Sequence, residues 1–273
     1  MRIAHFSDIH AGSWIRGMSG YFDKRLLGAF NFLLRRKLNQ NWNFVDLAVQ
    51  KIKQIDPDIV ICTGDIATIA SNHEFTKAKD ALTPLVEDTR FEFLFIPGNH
   101  DAYINNRKCI KNLNKTFRFL NRDRFDLDDL PRMHTFKGTQ FLLVDGATPG
   151  PFYSSAGVLT KDTQASIQQY LSNREKNQKL ILIGHFPLFD KSGNPLSWRR
   201  RCHGNTLLQE SLTNGAIDLS LCGHIHQEFA RWEEKGSLEV SAGSLTNNGR
   251  INIIDFPLES NKIEQKWINL GST

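Results

Sequence analysis

The 273-residue sequence lacks long apolar runs and closely spaced cysteine pairs. No run reaches about eighteen apolar residues, which predicts that no helix crosses a membrane. The cysteines do not have the spacing of a zinc or redox pair. Cys62 and Cys222 end apolar runs, which favours reduced, buried thiols. No basic-then-apolar signal precedes the first predicted strand, so we expect a cytoplasmic protein.

A net positive charge is also lacking outside one segment. Residues 11–42 carry six basic residues and one acidic residue, whereas the rest of the chain is balanced. Within them, Lys24–Leu38 predicts an amphipathic helix that carries Arg35 and Arg36 on its basic face. The helix either packs on the domain with that face in water, or forms a basic, aromatic lip that binds an anionic or membrane-surface substrate.

The remaining hydrophobic pattern alternates short apolar runs with amphipathic segments, which is typical of α/β proteins. Further predicted helices cover residues 43–54, 72–87, 160–172 and 206–212. Predicted strands cover residues 2–7, 59–62, 91–96, 132–136, 140–145, 180–183, 217–222, 239–242, 251–256 and 262–268. The strands after residue 226 form a β-rich part without an obvious site of its own.

One strand end carries three residues with metal-binding or proton-transfer chemistry. The strand ends at Pro97-Gly98, and open α/β sheets bind ligands beyond such carboxyl ends. Asn99 offers an amide oxygen, His100 a proton near neutral pH, and Asp101 a carboxylate to orient the histidine. Taken alone, this motif equally suits a turn with a surface histidine.

Four further strand ends carry the same kinds of side chain. They contribute Asp8, His10, Asp65, His185, His224 and His226. Together with Asn99 and His100, the set holds oxygen and nitrogen ligands without thiolate, which suits Mn, Fe or Zn. Seven of the eight can hold two ions if one carboxylate bridges, and such a pair can activate a water and hold a phosphate. One histidine is then left to protonate the leaving oxygen.

The order Asp-x-His, Gly-Asp, Gly-Asn-His-Asp, Gly-His, Gly-His-x-His resembles the calcineurin-like metallophosphoesterases over about Arg2 to His226. The resemblance implies a four-layer αββα sandwich, in which two mixed β-sheets are flanked by helices. It implies one domain over residues 1–273, with residues 13–42 as an insertion. It also implies a metal-dependent hydrolase that cleaves a phosphodiester, phosphomonoester or pyrophosphate through a metal-bridging hydroxide.

The resemblance also assigns roles to the motif residues. One metal would take Asp8, His10, Asp65 and His226. The second would take Asp65, Asn99, His185 and His224, so that Asp65 bridges. His100 would act as general acid, with Asp101 orienting it. The cofactors would be two divalent ions, Mn, Fe or Zn.

The sequence differs from particular branches of the family, and these differences reduce the range of expected substrates. Thr68 stands where the Ser/Thr protein phosphatases carry an acid, so a phosphoprotein substrate is not expected. The tyrosine ligand of the purple acid phosphatases is absent. The basic segment is similar to the lip of the UDP-2,3-diacylglucosamine pyrophosphatases, although some of those carry Arg where this chain has His100. That alternative implies a nucleotide- or lipid-linked substrate and peripheral contact with the inner membrane face.

A second basic cluster is a candidate for substrate contact. It contains Arg199, Arg200, Arg201 and His203, and arginine suits phosphate geometry. A solvated loop is the alternative, and Arg35 and Arg36 are the other candidates. The sequence has no recognisable nucleic-acid-binding motif, so nucleic acid is not an expected partner. The alternative to an enzyme is a protein-interaction scaffold that keeps the fold but has lost the metal site. In this sequence, however, none of the ligand residues of the family is missing.

Overall fold

The computed structural model describes residues 1–12, 40–151, 153–174, 178–257 and 262–271. The predicted helix Lys24–Leu38, with Arg35 and Arg36, lies outside the described residues. Among those that are described, no helix is both long and apolar enough to cross a membrane. All four cysteines are buried free thiols, which confirms the expectation for Cys62 and Cys222.

Two large sheets form the centre of the molecule. The first has the order β13-β12-β1-β2-β3 and the second the order β10-β11-β9-β7-β5-β4. Both sheets mix parallel and antiparallel pairs, while β6 and β8 form a small parallel ladder. The strands are β1 (Arg2–Phe6), β2 (Ile59–Cys62), β3 (Glu92–Phe95), β4 (Arg132–Phe136), β5 (Thr139–Val144), β6 (Gly157–Val158), β7 (Leu180–Gly184), β8 (Cys202–His203), β9 (Leu219–Cys222), β10 (Glu228–Trp232), β11 (Leu238–Ala242), β12 (Arg250–Asp255) and β13 (Glu264–Asn269).

Alternation along the central strands explains why the sheets pack face to face. Phe141 and Leu143 of β5 belong to the same core cluster as Ile3 and Val60 of the first sheet. Leu142, between them, belongs to the cluster beneath the helices on the other side. Successive side chains of a strand point to opposite faces, so a continuous apolar run supplies both interfaces.

Helices cover the outer faces of both sheets. They are α1 (Asn43–Ile55), α2 (Asn72–Val86), α3 (Arg107–Leu120), α4 (Lys161–Asn173), α5 (Thr206–Thr213) and the short α6 (Leu245–Asn248), with a 3₁₀ turn at Leu127–Asp129. Helix α1 buries Val45 and Ile52 in the core shared by the two sheets. Ile167 of α4 and Leu212 of α5 pack against the second sheet. The predicted arrangement of two mixed sheets flanked by helices is confirmed.

The structure adds elements that the sequence did not predict. Strand β10 and the β6–β8 ladder were missed. Within residues 102–130, α3 buries one face, with Leu113 and Phe117 in the core. The single-domain assignment stays a prediction.

A side chain closes the edge of β3, the outer strand of the first sheet. Asn121 Oδ1 accepts from Phe95 N–H at 2.9 Å, and Asn121 Nδ2 donates to Phe95 O at 3.1 Å and to Phe117 O at 3.0 Å. The buried amide thus pairs with the strand as a neighbouring backbone would. This contact fixes the strand just before the loop that carries Asn99 and His100.

We expect Asn121→Ala to lower the free energy of unfolding by about 2–4 kcal/mol, because it leaves buried groups of Phe95 without partners. Urea denaturation measures the loss. The exposed Asn173→Ala is the control and should change stability by less than about 0.5 kcal/mol. Equal stability of the two variants would contradict the role of Asn121.

Candidate metal centre

Loops from both sheets bring the predicted site residues together. The loops after β1, β2 and β3 carry Asp8, Asp65 and Asn99, and those after β7 and β9 carry His185 and His224. Contacts cross between the sheets. His226 Nε2 lies 3.0 Å from Asp8 Oδ1, and His185 Nε2 lies 3.4 Å from Asp65 Oδ2. The site therefore lies where the edges of the two sheets meet.

The backbone of these loops is strained at the proposed ligands. Five of the seven have left-handed φ angles between 44° and 70°, namely Asp8, His10, Asp65, His224 and His226. For residues other than glycine, each such angle costs on the order of 1 kcal/mol or more. Hydrogen bonds between two loops offset the cost, since Asp8 N–H donates to Gly64 O at 2.9 Å and His10 N–H to Asp65 O at 3.0 Å.

Two glycines let the backbone approach the carboxylates. A Cβ at Gly223 would overlap Asp8 Oδ2, and one at Gly98 would overlap Asp65 Oδ1. Because glycine has no Cβ, the His224 N–H reaches Asp8 Oδ2 at 3.0 Å and the His100 N–H reaches Asp65 Oδ1 at 2.7 Å. Each carboxylate thus has one oxygen bonded to the backbone, while its other oxygen faces the imidazoles.

The first group of ligand atoms belongs to Asp8, His10, Asp65 and His226, and these atoms all lie within 4.8 Å of one another. His10 Nε2 is 2.9 Å from His226 Nε2 and 3.5 Å from Asp8 Oδ1. His10 Nδ1 lies 3.1 Å from Ala67 O. When Nδ1 donates its proton to this carbonyl, Nε2 directs its lone pair into the group, as a metal ligand does.

The second group shares Asp65 with the first, since His185 Nε2 and His10 Nε2 both approach Asp65 Oδ2. His185 Nδ1 donates to Thr63 O at 2.6 Å, which leaves Nε2 facing Asp65. His224 Nδ1 lies 2.8 Å from Asn99 Oδ1, and its Nε2 lies 2.9 Å from Arg200 O. A neutral imidazole has a single N–H. If Nε2 donates to the carbonyl, Nδ1 presents a lone pair beside the amide oxygen.

The donor set fits divalent cations. Asp8 Oδ1 and His185 Nε2 are buried, and their contacts with His226 Nε2 at 3.0 Å and Asp65 Oδ2 at 3.4 Å do not have hydrogen-bond geometry. Such atoms are rare in folded proteins and call for an ion or another explanation. A carboxylate oxygen and an unprotonated imidazole nitrogen are both good ligands for Mn, Fe or Zn. A cation on each side of Asp65 would satisfy both atoms.

Electrostatics keeps the carboxylates ionised. Burial alone would raise the pKa of Asp65, but the imidazoles of His185 and His100 hold it well below its usual range. Burial also opposes ionisation of Asp8, yet His226 and His10 hold its pKa well below the ordinary value. Both side chains therefore offer anionic oxygens to a cation.

His224, beside Asn99, and His185, beside Asp65, have pKa values that are shifted in opposite directions. Burial and the neighbouring His185 lower the pKa of His224 to about 3, so His224 is neutral. Burial opposes the charged form of His185, but Asp65 and Asp8 outweigh it and raise its pKa to about 9. In the absence of a cation, a proton on His185 balances Asp65. Metal binding would displace that proton.

The contacts of Asp101 correct one prediction. Its two oxygens accept from Ala67 N–H at 2.8 Å and Gly98 N–H at 2.9 Å, so it ties two site loops together. Burial and the nearby Asp65 raise the pKa of Asp101 to about 8. His100 is oriented instead by Thr68, whose carbonyl lies 2.7 Å from His100 Nδ1. Adjacency in sequence had suggested a contact that the turn does not make.

The basic cluster divides into residues inside and outside the site. An open cleft over the ligand atoms is lined by Asp65, Asn99, His100, Ser155, Arg200, His224, Ile225 and His226. Arg201 Nε donates to His203 Nδ1 at 3.3 Å, and Arg199 lies over the Tyr153 ring. Of the four predicted substrate contacts in this cluster, Arg200 alone is among the described residues that line the cleft.

The C-terminal part contributes contacts that the sequence did not reveal. Ser244 Oγ donates to Asp8 O at 2.9 Å, and Asn247 Nδ2 lies 3.4 Å from His226 Nδ1. This part was expected to have no site of its own. Neither residue lies in a recognisable motif, and the pairings of β12 with β1 and of β11 with β9 bring their segment to the site.

Comparisons with known proteins identify the family of the chain. A family model described as calcineurin-like phosphoesterase matches residues 1–228. The glycerophosphodiester phosphodiesterase GpdQ of Enterobacter lignolyticus (strain SCF1) is 26% identical over 233 residues, covering 83% of this chain and 71% of that protein.

Solved structures share the fold at low identity. A dimetal phosphatase of Danio rerio is 12% identical, with a TM-score of 0.63 and 99% of both chains covered. The protein TT1561 of Thermus thermophilus is 13% identical, with a TM-score of 0.59 and 98% of both chains covered. At this identity the likeness concerns the fold alone.

We expect Asp65→Asn to reduce bound metal at both positions, because its carboxylate lies between the two groups of ligand atoms. Elemental analysis after dialysis against Mn²⁺ measures the metal content per chain. His134→Asn is the control, since His134 pairs with Glu92 at a distance of 3.1 Å and belongs to neither group. Wild-type metal content in Asp65→Asn would rule out the shared position.

His5, which lies outside the motifs, gives a pH-dependent prediction. Its Nε2 is 3.0 Å from Thr63 Oγ1, and burial lowers its pKa from 6.5 to about 3. As the pH falls, His5 is protonated in the unfolded chain before it is protonated in the folded protein. The stabilising contribution of the neutral His5 is therefore complete above pH 6.5. It is lost as the pH falls from there towards 3, by about 1.4 kcal/mol per pH unit.

His5→Gln keeps a donor for Thr63 but cannot titrate. We expect its free energy of unfolding to fall less steeply than that of the wild type between pH 6 and pH 4, by roughly that slope. Denaturant titrations at several pH values measure it. The exposed His73→Gln should follow the wild type. Parallel curves for His5→Gln and the wild type would refute the assignment.

Proposed function

The chain belongs to the calcineurin-like phosphoesterase family, and we propose that it hydrolyses a small phosphodiester in the cleft beside Asp65. Family membership and the phosphodiesterase relative make it a metal-dependent phosphohydrolase. The observation that carries the proposal is the shared position of Asp65, with His100 beside it in the same cleft.

The two groups of ligand atoms give the site its chemistry. Two divalent cations, held by Asp8, His10, Asp65 and His226 on one side and by Asp65, Asn99, His185 and His224 on the other, would supply an activated water and positive charge for the phosphate. Backbone carbonyls accept hydrogen bonds from His10 and His185, and backbone N–H groups donate hydrogen bonds to Asp8 and Asp65. These bonds hold the four side chains in place. The identity of the metal, manganese included, stays a prediction.

His100 is suited to protonate the leaving oxygen. Its Nδ1 donates to Thr68 O, so Nε2 is the nitrogen left to face the cleft. A positioned imidazole that delivers a proton to a poor leaving group contributes about 10²- to 10⁴-fold to the rate. The part played by Asp101 is to tie the loops together rather than to move a proton.

Arg200 is the candidate for a phosphate contact. It is exposed and lines the cleft, where a guanidinium can bind phosphate oxygens. Among the described lining residues it is the single arginine or lysine. Ser155 also lines the cleft and offers a hydroxyl. The relative GpdQ carries the name of a glycerophosphodiester phosphodiesterase.

The other readings have less support. Action on UDP-2,3-diacylglucosamine at the membrane surface depends on Lys24–Leu38, outside the described residues, so it stays a prediction. The cytoplasmic location and the peripheral contact with the inner membrane face have the same standing. A non-catalytic scaffold would not need the complete set of ligands that the loops bring together.

We expect His100→Asn to keep its metal content but to lose about 10²- to 10⁴-fold in kcat on sn-glycero-3-phosphoethanolamine, whose leaving alkoxide needs a proton. The loss on bis-p-nitrophenyl phosphate should be much smaller, because p-nitrophenolate leaves without protonation. Steady-state kinetics of the Mn²⁺-loaded protein measures both, with His134→Asn as control.

Two outcomes bear on the proposal separately. If the loss is equal on both substrates, His100 is not the general acid. If the metal-loaded wild type hydrolyses neither diester, the phosphodiesterase assignment itself is wrong.

A further inference from the structure

The ring of Tyr103 lies flat against the ring of His100. Their centroids are 5.6 Å apart and their planes differ by 7°. The His10 ring meets His100 edge-on, with centroids 5.0 Å apart and an interplanar angle of 89°. Together with the 2.7 Å contact to Thr68 O, three neighbours hold the imidazole from three directions.

We propose that Tyr103 is a positioning residue, which fixes the ring plane of His100 so that Nε2 stays directed at the leaving oxygen. A hydrogen bond through Nδ1 fixes one atom of the ring but leaves the imidazole able to tilt about that contact. A parallel ring at stacking distance removes this freedom. The inference rests on the proposed function, in which His100 donates a proton.

The turn that holds Thr68 also supports Tyr103. Tyr103 packs against Ile69, which is 1% exposed and directly follows Thr68. The turn is itself held by Glu74, whose Oε2 accepts from Ile69 N–H at 3.2 Å and from Ser71 N–H at 3.0 Å. One rigid segment therefore orients both the nitrogen and the face of His100.

Tyr103 differs from the residues already given roles. It is not a candidate ligand, and it is absent from the residues that line the cleft. Its connection to the reaction runs through His100. Removal of its ring should therefore leave substrate binding nearly unchanged and weaken only the step that needs a directed proton, in the way that misplacement of a catalytic group lowers kcat.

The test compares two diesters that differ in the basicity of the leaving group. Bis-p-nitrophenyl phosphate releases a weakly basic phenolate, and diphenyl phosphate a more basic one. We expect Tyr103→Leu in the full, Mn²⁺-loaded chain to lose about 10-fold in kcat on diphenyl phosphate and less than about 2-fold on the nitrophenyl ester, with KM unchanged. Tyr103→Phe, which keeps the ring, should restore both rates.

Tyr170→Leu is the matched control, because Tyr170 is also partly buried but packs in the cluster beneath the helices of the second sheet. It should show no dependence on the leaving group. An equal loss on both esters by Tyr103→Leu, or failure of Tyr103→Phe to restore the rates, would assign Tyr103 a merely structural role and overturn the proposal.

A second readout does not need activity. In a protein labelled with ¹⁵N in its histidine rings, the His100 Nδ1–H proton should exchange with water faster in Tyr103→Leu than in the wild type, Tyr103→Phe or Tyr170→Leu. Unchanged exchange would overturn the positioning role. If the wild type hydrolyses neither ester, the proposed function fails, and this measurement alone still decides whether Tyr103 holds the ring.

Discussion

Two ionised carboxylates, those of Asp8 and Asp65, are buried where the sheets meet, and much of the local structure compensates for their charge. An unpaired buried carboxylate costs several kcal/mol. Here one oxygen of each carboxylate accepts a hydrogen bond from a backbone N–H, and the other oxygen faces imidazoles. Backbone carbonyls orient two of these imidazoles through hydrogen bonds to Nδ1. The histidines reduce the cost, but within the described part of the chain neither Asp8 Oδ1 nor His185 Nε2 has a contact of hydrogen-bond geometry. A divalent cation is the charge that completes this arrangement.

The same requirement couples the site to the fold. Asp8 follows a strand of the first sheet and His226 follows a strand of the second, so their 3.0 Å contact forms only when both sheets are in place. The left-handed residues of the loops add strain, which the bonds between the loops after β1 and β2 offset. Because ligands that bind only the folded state stabilise it, metal binding to these loops should hold the two sheets together as well.

The sequence predicted the sheets and the ligand types, but not the contacts that orient them. Buried strands such as Ile59–Cys62 are visible as short apolar runs, and the residues after each run share one chemistry. Strand β10 was missed because Glu228 and Arg231 interrupt its apolar residues, and its Arg231 pairs with the buried Glu239 only in the folded sheet. Backbone carbonyls such as Thr68 O carry no side-chain signal. Asp101 was misassigned since neighbours in sequence need not be neighbours in a turn.

The acid His100 has one support that most of the ligands do not use. The ligands are held by contacts between loops of the two sheets. His100 also depends on the Thr68–Ser71 turn, which the capping box of Ser71 and Glu74 fixes at the start of α2. Glu74 is fully buried, so this turn is anchored in the core rather than in the cleft. A change in the turn would therefore redirect the imidazole of His100, while the contact of Asp8 with His226 across the sheets does not involve the turn. Proton delivery and metal binding still share part of their support, because Ala67 O, next to Thr68, holds His10 Nδ1, and the His100 N–H donates to Asp65 Oδ1. A substitution in the turn should therefore act first on the direction of His100, and on the ligands only through these two shared contacts.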